Sequence, residues 1–556
     1  MRITDFKGRL PIIATDKLPA NVATVATNCD MQTEQVRPIK GPTLVQSIAK
    51  PGDIRTIWKV GDTWIGFTDT VSFAKAPSDN DRVYYLGDGY AKHTDADLVD
   101  AGGIPAAYPS VAYRMGVTPP AAAPTLAVTG TAGGEIGECS YVYTIVNRIS
   151  STYEEESAPS PPTAPRMVYE GETITVQALV APTDGGYNDT YFRVYRSTDG
   201  SGYMCVPTGR DGNGDFLYDL DTGTTSLDDN DTVTGNIYID LVVTLSTKGW
   251  DRLPDDAKCL TEYQNGIFVA LYGKKLLPSV LFVPYAFPQG INDPGTDFSY
   301  IEFQYDPYTH ASFNGILIVG TSGNPYAVSG SDPENLQMQK IPYEYACVGD
   351  MCVTEIGVFY PSPDGLVFCD GLTAKPWTKD VFTKDQWTAL GPTNLKMFYH
   401  DDKLICFFKG SSTGFICDFK NQKTITDFDI EYDFWDGHMV AEEDTLNLLL
   451  QNGVVYYIYS WATGTEMDMF YSGRWKESLS PCYTAARIEG DFTGDKTLDL
   501  TITADGVSTT VEGIGSDDAF YLGTSGWASE YTYSVTGDAY LTAIRFGSYP
   551  GELHGD

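Results

Sequence analysis

The first candidate for chemistry in this sequence is a short glycine- and serine-rich string, Gly410–Gly414 (GSSTG). It matches the G-x-S-x-G pattern of a nucleophile elbow, in which a serine is exposed on a strained turn between a strand and a helix. Here the following residues, Phe415–Phe419, are typical of a further strand instead of a helix. The pattern therefore predicts a hairpin loop, with Ser412 as an ordinary polar residue and no hydrolase site.

A second candidate is the oxygen-rich segment Asp211–Asp215 (DGNGD), which has the spacing of the first ligands in a calcium-binding loop. The glycine that should follow is replaced by Phe216, and Thr222 stands where the closing glutamate is required. A surface turn is the favoured interpretation, and weak calcium binding is the alternative.

Residue types that bind metals are scattered along the chain. The ten cysteines include no C-x-x-C pair and are expected to be reduced, buried residues; Cys347 and Cys352 are expected to flank a strand end. Acidic runs such as Glu442-Glu443-Asp444 and Asp517-Asp518 are expected in solvated loops. The histidines, which show no metal-site spacing, are His93, His310, His400, His438 and His554. The sequence predicts no catalytic residue, no metal site and no cofactor.

The elements that would position any site are hairpins, because one hairpin pattern occurs five times. Each repeat is an apolar or aromatic run, a tight polar turn and a second such run, as expected for strands buried on both faces. Turns such as Asp401-Asp402 and Asn452-Gly453 suit backbone with positive φ. The spacing of roughly 40–50 residues is the period of a four-stranded propeller blade. The repeats are Gly266–Phe282, Gly315–Gly330, Ile356–Gly371, Leu395–Phe408 and Leu446–Trp461.

The predicted fold class is therefore all-β: a β-propeller with an inserted β-sandwich and a C-terminal antiparallel β region. More polar segments between the hairpins are expected to form outer strands of the blades. These segments are Phe298–Tyr305, Asp380–Leu390, Thr426–Trp435 and Met469–Trp475. The inserted region is predicted to contain short strands separated by frequent turns. It resembles a fibronectin type III domain, particularly in Tyr141–Ser160 and Tyr191–Tyr203.

Five regions follow from this pattern. Residues 1–53 are predicted to be an N-terminal leader or arm with few strands, in which Leu18–Cys29 begins with a short helical turn. Residues 54–121 are the first blade and a Pro-rich linker, 122–240 the inserted sandwich, and 241–481 the remaining blades. Residues 482–556 are expected to complete the last blade or to pack beneath the ring.

The charge of the chain limits its partners. Asp and Glu number 74 against 37 Lys and Arg, and the net charge is −37. Binding to the phosphates of DNA needs clustered basic residues, so sequence-specific DNA recognition is not expected. An acidic passage through which DNA slides is compatible with this composition. No uninterrupted apolar stretch is long enough to span a bilayer, and synthesis in the cytoplasm is expected.

Phrases at both ends of the chain carry a resemblance to a known family. They are LPANVATVATNCD (18–30), RPIKGP (37–42) and the segment TLDLTITADGV…VTGDAYLTAIRFGSYPGEL (497–553). With the order of leader, blade, inserted sandwich and further blades, the chain resembles the tail nozzle proteins of short-tailed bacteriophages. These β-propeller virion proteins are also called hub or packaged-DNA stabilisation proteins.

The resemblance implies a structural virion protein that forms a ring, which is a hexamer in the family, below the portal and adaptor. The ring would continue the DNA channel, retain packaged DNA and allow its ejection. The implied partners are further copies of the chain, the tail adaptor or head-to-tail connector, tail fibre or needle proteins, and double-stranded DNA in transit. The implied location is the phage tail, assembled in the cytoplasm of the host bacterium.

Two alternatives belong to other functional classes. Propellers also support glycoside hydrolases, whose acidic residues surround the central pocket. The hairpins, however, contain no Asp-box turn of S-x-D-x-G-x-T-W type. The other alternative is an adhesin that binds carbohydrate through the inserted sandwich.

Overall fold

The computed structural model describes residues 1–31, 35–48, 50–76, 81–100, 109–210, 216–229, 243–264, 266–289, 300–418, 423–523 and 527–554. Within these residues the protein is built almost entirely of β-strands, as predicted. The strands form a propeller, a sandwich inserted after its second blade, and a second sandwich that combines both ends of the chain.

The propeller has seven blades in the described part of the chain, of which blades 6 and 7 belong to one continuous sheet, and all five predicted hairpins lie within it. Blade 1 has two strands, Thr56–Val60 and Thr63–Phe67. Blade 2 comprises Ser72–Lys75, Val83–Gly87, Gly89–Thr94 and Tyr113–Arg114. Blade 3 comprises Lys258–Glu262, Phe268–Tyr272, Lys275–Pro278 and Ile301–Glu302. Blade 4 comprises Pro307–Phe313, Ile316–Thr321, Tyr326–Ser329 and Gln337–Lys340.

The remaining three blades follow in chain order, and one long strand is shared between the last two. Blade 5 comprises Cys352–Val353, Val358–Ser362, Gly365–Cys369 and Ala374–Pro376. Blade 6 comprises Leu395–His400, Lys403–Phe408, Ser411–Asp418 and the first part of Ile425–Val440. Blade 7 comprises the second part of Ile425–Val440, then Thr445–Asn452, Val455–Ser460 and Thr43–Ile48.

Apolar side chains between neighbouring sheets close the ring. Seven separate buried clusters lie between the blades, one for each pair of neighbours, including blade 7 and blade 1. In that closing contact, Leu449 and Ile458 of blade 7 pack with Ile57 and Trp64 of blade 1. Both faces of each middle strand are therefore buried, which explains the unbroken apolar runs in the sequence. The outer strand of blade 7 is Thr43–Ile48, which comes from the first part of the chain and pairs with Val455–Ser460. Segments that are distant in the sequence therefore close the ring.

The inserted sandwich has its own core. One sheet contains Thr125–Gly130, Glu172–Gln177 and Ser226–Asp229. The other contains Glu135–Arg148, Glu154–Glu156, Arg166–Tyr169, Asp189–Thr198, Met204–Cys205 and Leu220–Asp221. A short additional pair joins Gly209–Arg210 to Phe216–Leu217. Tyr143, Ile174 and Phe192 pack between the two main sheets, as expected for a sandwich with alternating strands.

The terminal sandwich combines the first and last parts of the chain. One sheet contains Arg2–Ile3, Tyr540–Gly547, Ala485–Asp491 and Phe520–Tyr521. The other contains Val25–Thr27, Met469–Lys476, Glu530–Gly537, Leu498–Ala504 and Val507–Ile514. Short strands Lys7–Arg9, Val22–Ala23, Cys29–Asp30 and Arg37–Pro38 connect this sandwich to the propeller. The predicted C-terminal antiparallel region is confirmed, and it packs as a separate sandwich.

Two expectations about the ends of the chain were wrong. The leader was expected to contain few strands, but it contains several short ones. Two of them, Arg2–Ile3 and Val25–Thr27, pair with strands from the last part of the chain in the terminal sandwich. Its single helical turn is a 3-10 helix at Thr15–Lys17, before Leu18–Cys29. Met469–Trp475 was expected to be an outer strand of a blade, but it pairs with Glu530–Gly537 in the terminal sandwich.

The segment Asp380–Leu390 is helical, so its prediction as an outer strand was wrong. A 3-10 helix at Trp377–Asp380 is followed by an α-helix at Lys384–Ala389. Thr383 and Gln386 form a reciprocal capping box, and Trp387 is buried beneath the helix. The other 3-10 helices are Pro333–Asn335, Pro392–Asn394 and Pro550–His554. No helix in the described ranges has the length and apolar character needed to cross a bilayer.

Candidate functional site

The residues of the G-x-S-x-G string lie in a turn and a strand of blade 6. Gly410 has φ +77° in the turn between two strands of blade 6, and Ser411–Asp418 is the following strand. Ser412 is therefore at the start of that strand and is half-buried. No helix follows it, so the elbow geometry required for a nucleophilic serine does not form. The oxygen-rich segment Asp211–Asp215 lies outside the described residues.

The metal-ligating residue types do not meet in one place. Across the described ranges, no group of three or more His, Cys, Asp or Glu side chains is placed to hold a metal ion. All ten cysteines are free thiols, and eight of them are buried. Cys347 donates to the carbonyl of Gly349 at 3.2 Å, and Cys352 to that of Val353 at 3.7 Å. Two histidines, His310 and His438, do lie on the propeller axis, in the cavities described next.

The inner strands of the blades surround two cavities on the propeller axis. The larger, about 610 Å³, is lined by residues near the starts of these strands; the smaller, about 490 Å³, lies near the ends of the strands of blades 1, 2 and 7. The indole ring of Trp58 stacks on Phe73 at 4.6 Å and packs at a tilt against His438 at 4.0 Å, measured between ring centroids. Trp58 and His438 line the smaller cavity, and Phe73 lines the larger one.

The two cavities differ in charge. The larger contains four cationic side chains and two carboxylates, and is called here the basic cavity. Its charged residues are Arg55, Lys258, Lys396, Lys409, Asp350 and Asp436. The smaller contains two lysines and four carboxylates, and is called the acidic cavity. Its charged residues are Lys59, Lys75, Asp62, Asp81, Glu442 and Glu443.

A network of ion pairs crosses the basic cavity. The ammonium nitrogen of Lys396 lies 2.6 Å from a carboxylate oxygen of Asp436 and 3.6 Å from one of Asp350. Lys409 lies 3.7 Å from Asp350, and Asp436 also accepts a hydrogen bond from the backbone N–H of Ile57 at 2.9 Å. One lysine thus joins two carboxylates that come from different blades.

This network keeps Lys396 and Asp350 charged. Burial alone would lower the pKa of Lys396, but Asp436 and Asp350 outweigh it and raise that pKa. Burial alone would raise the pKa of Asp350, but Lys396 and Lys409 hold it below its usual range. A protonated lysine is not a nucleophile, and a carboxyl group with a lowered pKa is not a general acid near neutral pH. The network therefore suits structure and binding better than acid–base chemistry.

His310 is the unusual polar group of the basic cavity. Its side chain is 6 % exposed, and neither ring nitrogen makes a hydrogen bond of normal geometry among the described residues, although the backbone of Cys259 lies close enough to oppose the effect of burial on its pKa. Burial lowers the pKa of His310 to about 4, so the ring is neutral at neutral pH and presents one N–H donor and one acceptor nitrogen. Buried polar atoms without partners are rare in proteins, and this one faces a cavity.

The acidic cavity is bridged at its rim. Lys59 donates to Glu443 at 2.5 Å, and Lys75 donates to Glu442 at 2.8 Å and lies 2.9 Å from Asp81. The first two acids of the run Glu442-Glu443-Asp444 thus connect the turn of blade 7 to blades 1 and 2. The expectation that these acids lie in a solvated loop is confirmed, because residues 441–444 form an exposed turn. The ring also brings lysines of other blades beside two of them.

A second buried polar cluster joins the inserted sandwich to blade 2. Tyr84 and Tyr153 share a hydrogen bond at 2.5 Å between their hydroxyl oxygens, and Tyr153 donates to Glu155 at 2.8 Å. The other oxygen of Glu155 accepts from the backbone N–H of Gly116 at 2.7 Å. His93 lies 3.6 Å from the same carboxyl group. Burial raises the pKa of Glu155 to about 7 and lowers that of His93 to about 3.

The residues that define the basic cavity were not predicted from the sequence. Asp350, Lys396 and Asp436 lie far apart in the sequence, and each is the neighbour of apolar or aromatic residues. One local signal was present: Lys396 is a charged residue inside the apolar first strand of a predicted hairpin. The inner strand of a blade faces the channel, so a charge at such a position indicates a channel-lining side chain.

No family model and no curated protein matches the sequence. Among solved structures, BamB from Moraxella catarrhalis is similar at 12 % identity over 76 % of this chain and 100 % of that chain, with a TM-score of 0.28. Sqt1 of Saccharomyces cerevisiae is similar at 10 % identity over 75 % of this chain and 99 % of that chain, with a TM-score of 0.27. The Pan2 WD40 domain of Neurospora crassa is similar at 8 % identity over 62 % and 90 %, also at 0.27.

Proposed function

We propose that the chain is a structural subunit of a short bacteriophage tail, in which several copies form a ring that continues the DNA channel. The observation that carries the proposal is the path of the first 48 residues. Arg2–Ile3 and Val25–Thr27 complete the two sheets of the terminal sandwich, and Thr43–Ile48 completes blade 7. Residues 1–48 thereby join the propeller to the terminal sandwich. A subunit that bears mechanical load requires such a connection between its parts.

The rest of the molecule supports a scaffold role. The propeller hides its sheet edges by closure, which favours a rigid and long-lived component. Buried ion pairs and aromatic rings occupy its own axis: Lys396 joins Asp350 and Asp436, and Trp58 stacks between Phe73 and His438. An axis occupied by these side chains has no room for a DNA duplex. DNA would therefore pass between subunits, through the lumen of the ring.

The charge supports transit without binding. A net charge of −37 per chain, repeated around a ring, repels phosphate and creates no bound minimum in which DNA would be retained by attraction. The adaptor would bind one face of the ring, and tail fibre or needle proteins would bind elsewhere. The inserted sandwich, which has its own core, is a candidate docking site for these fibres.

The experiment is electron microscopy of the purified chain, alone and with the adaptor of its own phage. The expected result is a ring of six subunits with an axial hole, lined mainly by acidic side chains. A mobility-shift assay at physiological salt should show no binding to duplex DNA. A subunit that stays monomeric with its adaptor, or a lumen lined mainly by Lys and Arg, would contradict the proposal. A monomer that binds glycans would favour the adhesin alternative.

A further inference from the structure

The basic cavity stands out because its charge is opposite to that of the molecule. The chain has two acidic residues for every basic one, but this cavity is lined by four cationic side chains and two carboxylates. The acidic cavity, on the same axis, has the reverse ratio. A local excess of positive charge inside an acidic protein attracts small anions to this part of the channel.

Three donors of the cavity are incompletely used within the described residues. Lys409 has an ammonium group 3.7 Å from Asp350, a distance longer than a hydrogen bond. Arg55 donates to Asp53 through Nη2 at 3.2 Å, but its buried Nη1 has no hydrogen-bond partner. His310 has none of normal geometry at either ring nitrogen. Each of these groups would gain a hydrogen bond from a ligand oxygen.

Arg55 and Lys409 both line the basic cavity. The guanidinium carbon of Arg55 is 3.7 Å from the ring centroid of Trp435. Two cationic side chains in the wall of one cavity suit an anion better than a neutral ligand.

We propose that the basic cavity binds a small anionic molecule that carries a carboxylate or phosphate group. Arg55 and Lys409 hold the anionic group, and the neutral ring of His310 donates a hydrogen bond to one of its oxygens. Phe73 and Leu260 line the apolar part of the cavity and contact the carbon skeleton of the ligand. A volume of about 610 Å³ is in the range of small-molecule sites and excludes a folded polymer.

The same geometry disfavours a metal cation. The two carboxylates that could bind one, Asp350 and Asp436, already share the ammonium group of Lys396. A divalent cation would have to displace that lysine. The anion, in contrast, would bind the unbonded Nη1 of Arg55 and the ammonium group of Lys409, whose contact with Asp350 is longer than a hydrogen bond. This inference is separate from the proposed tail function, since a ring subunit needs no small ligand.

The test is isothermal titration calorimetry of the full chain with citrate and with inorganic phosphate, and with glycerol as a neutral probe. Citrate, phosphate or both should bind, and glycerol should not. Binding by citrate alone assigns a carboxylate site, and binding by phosphate alone a phosphate site. Lys409→Gln should weaken the binding by about tenfold, equivalent to roughly 1.4 kcal/mol. Arg55→Gln is the second variant, in case the first does not fold.

The matched control is Lys75→Gln, which removes a lysine from the acidic cavity on the same axis. Its affinity should match that of the unmodified chain. The proposal is overturned if neither anion binds at millimolar concentration, or if folded Lys409→Gln and Arg55→Gln both keep full affinity. It is also overturned if Lys75→Gln weakens binding as much as Lys409→Gln, because the effect would then report net charge alone.

Discussion

Lys396 places its ammonium group 2.6 Å from Asp436, and this ion pair joins blade 6 to blade 7 at the propeller axis. The carboxylate of Asp436 is 3 % exposed, and it also receives the backbone N–H of Ile57 from blade 1. The pair therefore acts where three blades meet. A complete buried ion pair has a small net effect on the free energy of unfolding, but removing one partner leaves an uncompensated buried charge.

Replacing Lys396 with methionine should therefore destabilise the propeller by about 3 kcal/mol. The loss should appear in the free energy of unfolding from urea titration, followed by tryptophan fluorescence. Lys384→Met is the matched control, because Lys384 pairs with Asp364 at 2.7 Å on an exposed surface. That change should have a much smaller effect, because an exposed ion pair adds little to stability. Equal effects of the two changes would show that the axial pair is not a special contact.

Glu155 should make stability depend on pH near neutrality. Its pKa is about 7 in the folded protein against 4.5 for the ordinary group, so the folded state holds a proton that the unfolded chain releases. The stabilisation is present below pH 4.5 and is lost as pH rises through 7. His93 acts in the opposite direction between about 3 and 6.5, where the unfolded chain binds the extra proton.

The buried histidines His310 and His438, whose pKa burial lowers to about 4, act in the same direction as His93, so the contribution of Glu155 is isolated by comparison with Glu155→Gln. The thermal midpoint of the unmodified chain minus that of Glu155→Gln should fall as pH rises from about 5 to 8. Glu442→Gln is the control, because Glu442 lies at an exposed rim beside Lys75 and its pKa is lowered. A profile that Glu155→Gln leaves unchanged would exclude this carboxyl group as the cause.

The hydroxyl group of Tyr471 should stabilise the packing of the first strands of the chain on the terminal sandwich. Its buried hydroxyl lies 3.0 Å from the carbonyl oxygen of Lys7 and 2.9 Å from that of Asn21. Tyr471→Phe removes the donor and should cost about 1–3 kcal/mol, because buried carbonyl groups lose their partner. Hydrogen exchange should increase in the first strands of the chain. Tyr521→Phe, at a tyrosine that is 71 % exposed, should change stability by less than about 0.5 kcal/mol.

Ser412 should have no chemical role. Ser412→Ala should change the free energy of unfolding by less than about 0.5 kcal/mol, since the side chain is only half-buried at the start of a strand. Ser279→Ala is the informative comparison. The buried hydroxyl of Ser279 accepts from Phe268 N–H at 2.9 Å and donates to the carbonyl of Val280 at 3.0 Å, so its loss should cost about 1–3 kcal/mol. Selective labelling of Ser412 by a fluorophosphonate probe would contradict this prediction.

Local patterns were sufficient to predict the hairpins of the propeller. A strand buried on both faces must be apolar along its whole length, and its turn must tolerate positive φ. Both requirements act on adjacent residues, as in the turn where Asp401 and Asp402 have φ of +52° and +60°. The helix at Lys384–Ala389 was also detectable, because Thr383 and Gln386 have the spacing of a capping box. The aromatic residues of that segment concealed it.

Sequence alone determined the all-β class, the repeated hairpins, the acidic charge and the absence of a complete catalytic motif. Tertiary structure alone decided which strands share a sheet. Arg2 lies opposite Arg545 although 543 positions separate them, and nothing near either residue indicates the other. The basic cavity was equally hidden, because Asp350, Lys396 and Asp436 meet only when the ring closes. Periodicity reports which face of a strand is buried, but edge pairing and channel lining depend on contacts between distant segments that no local pattern encodes.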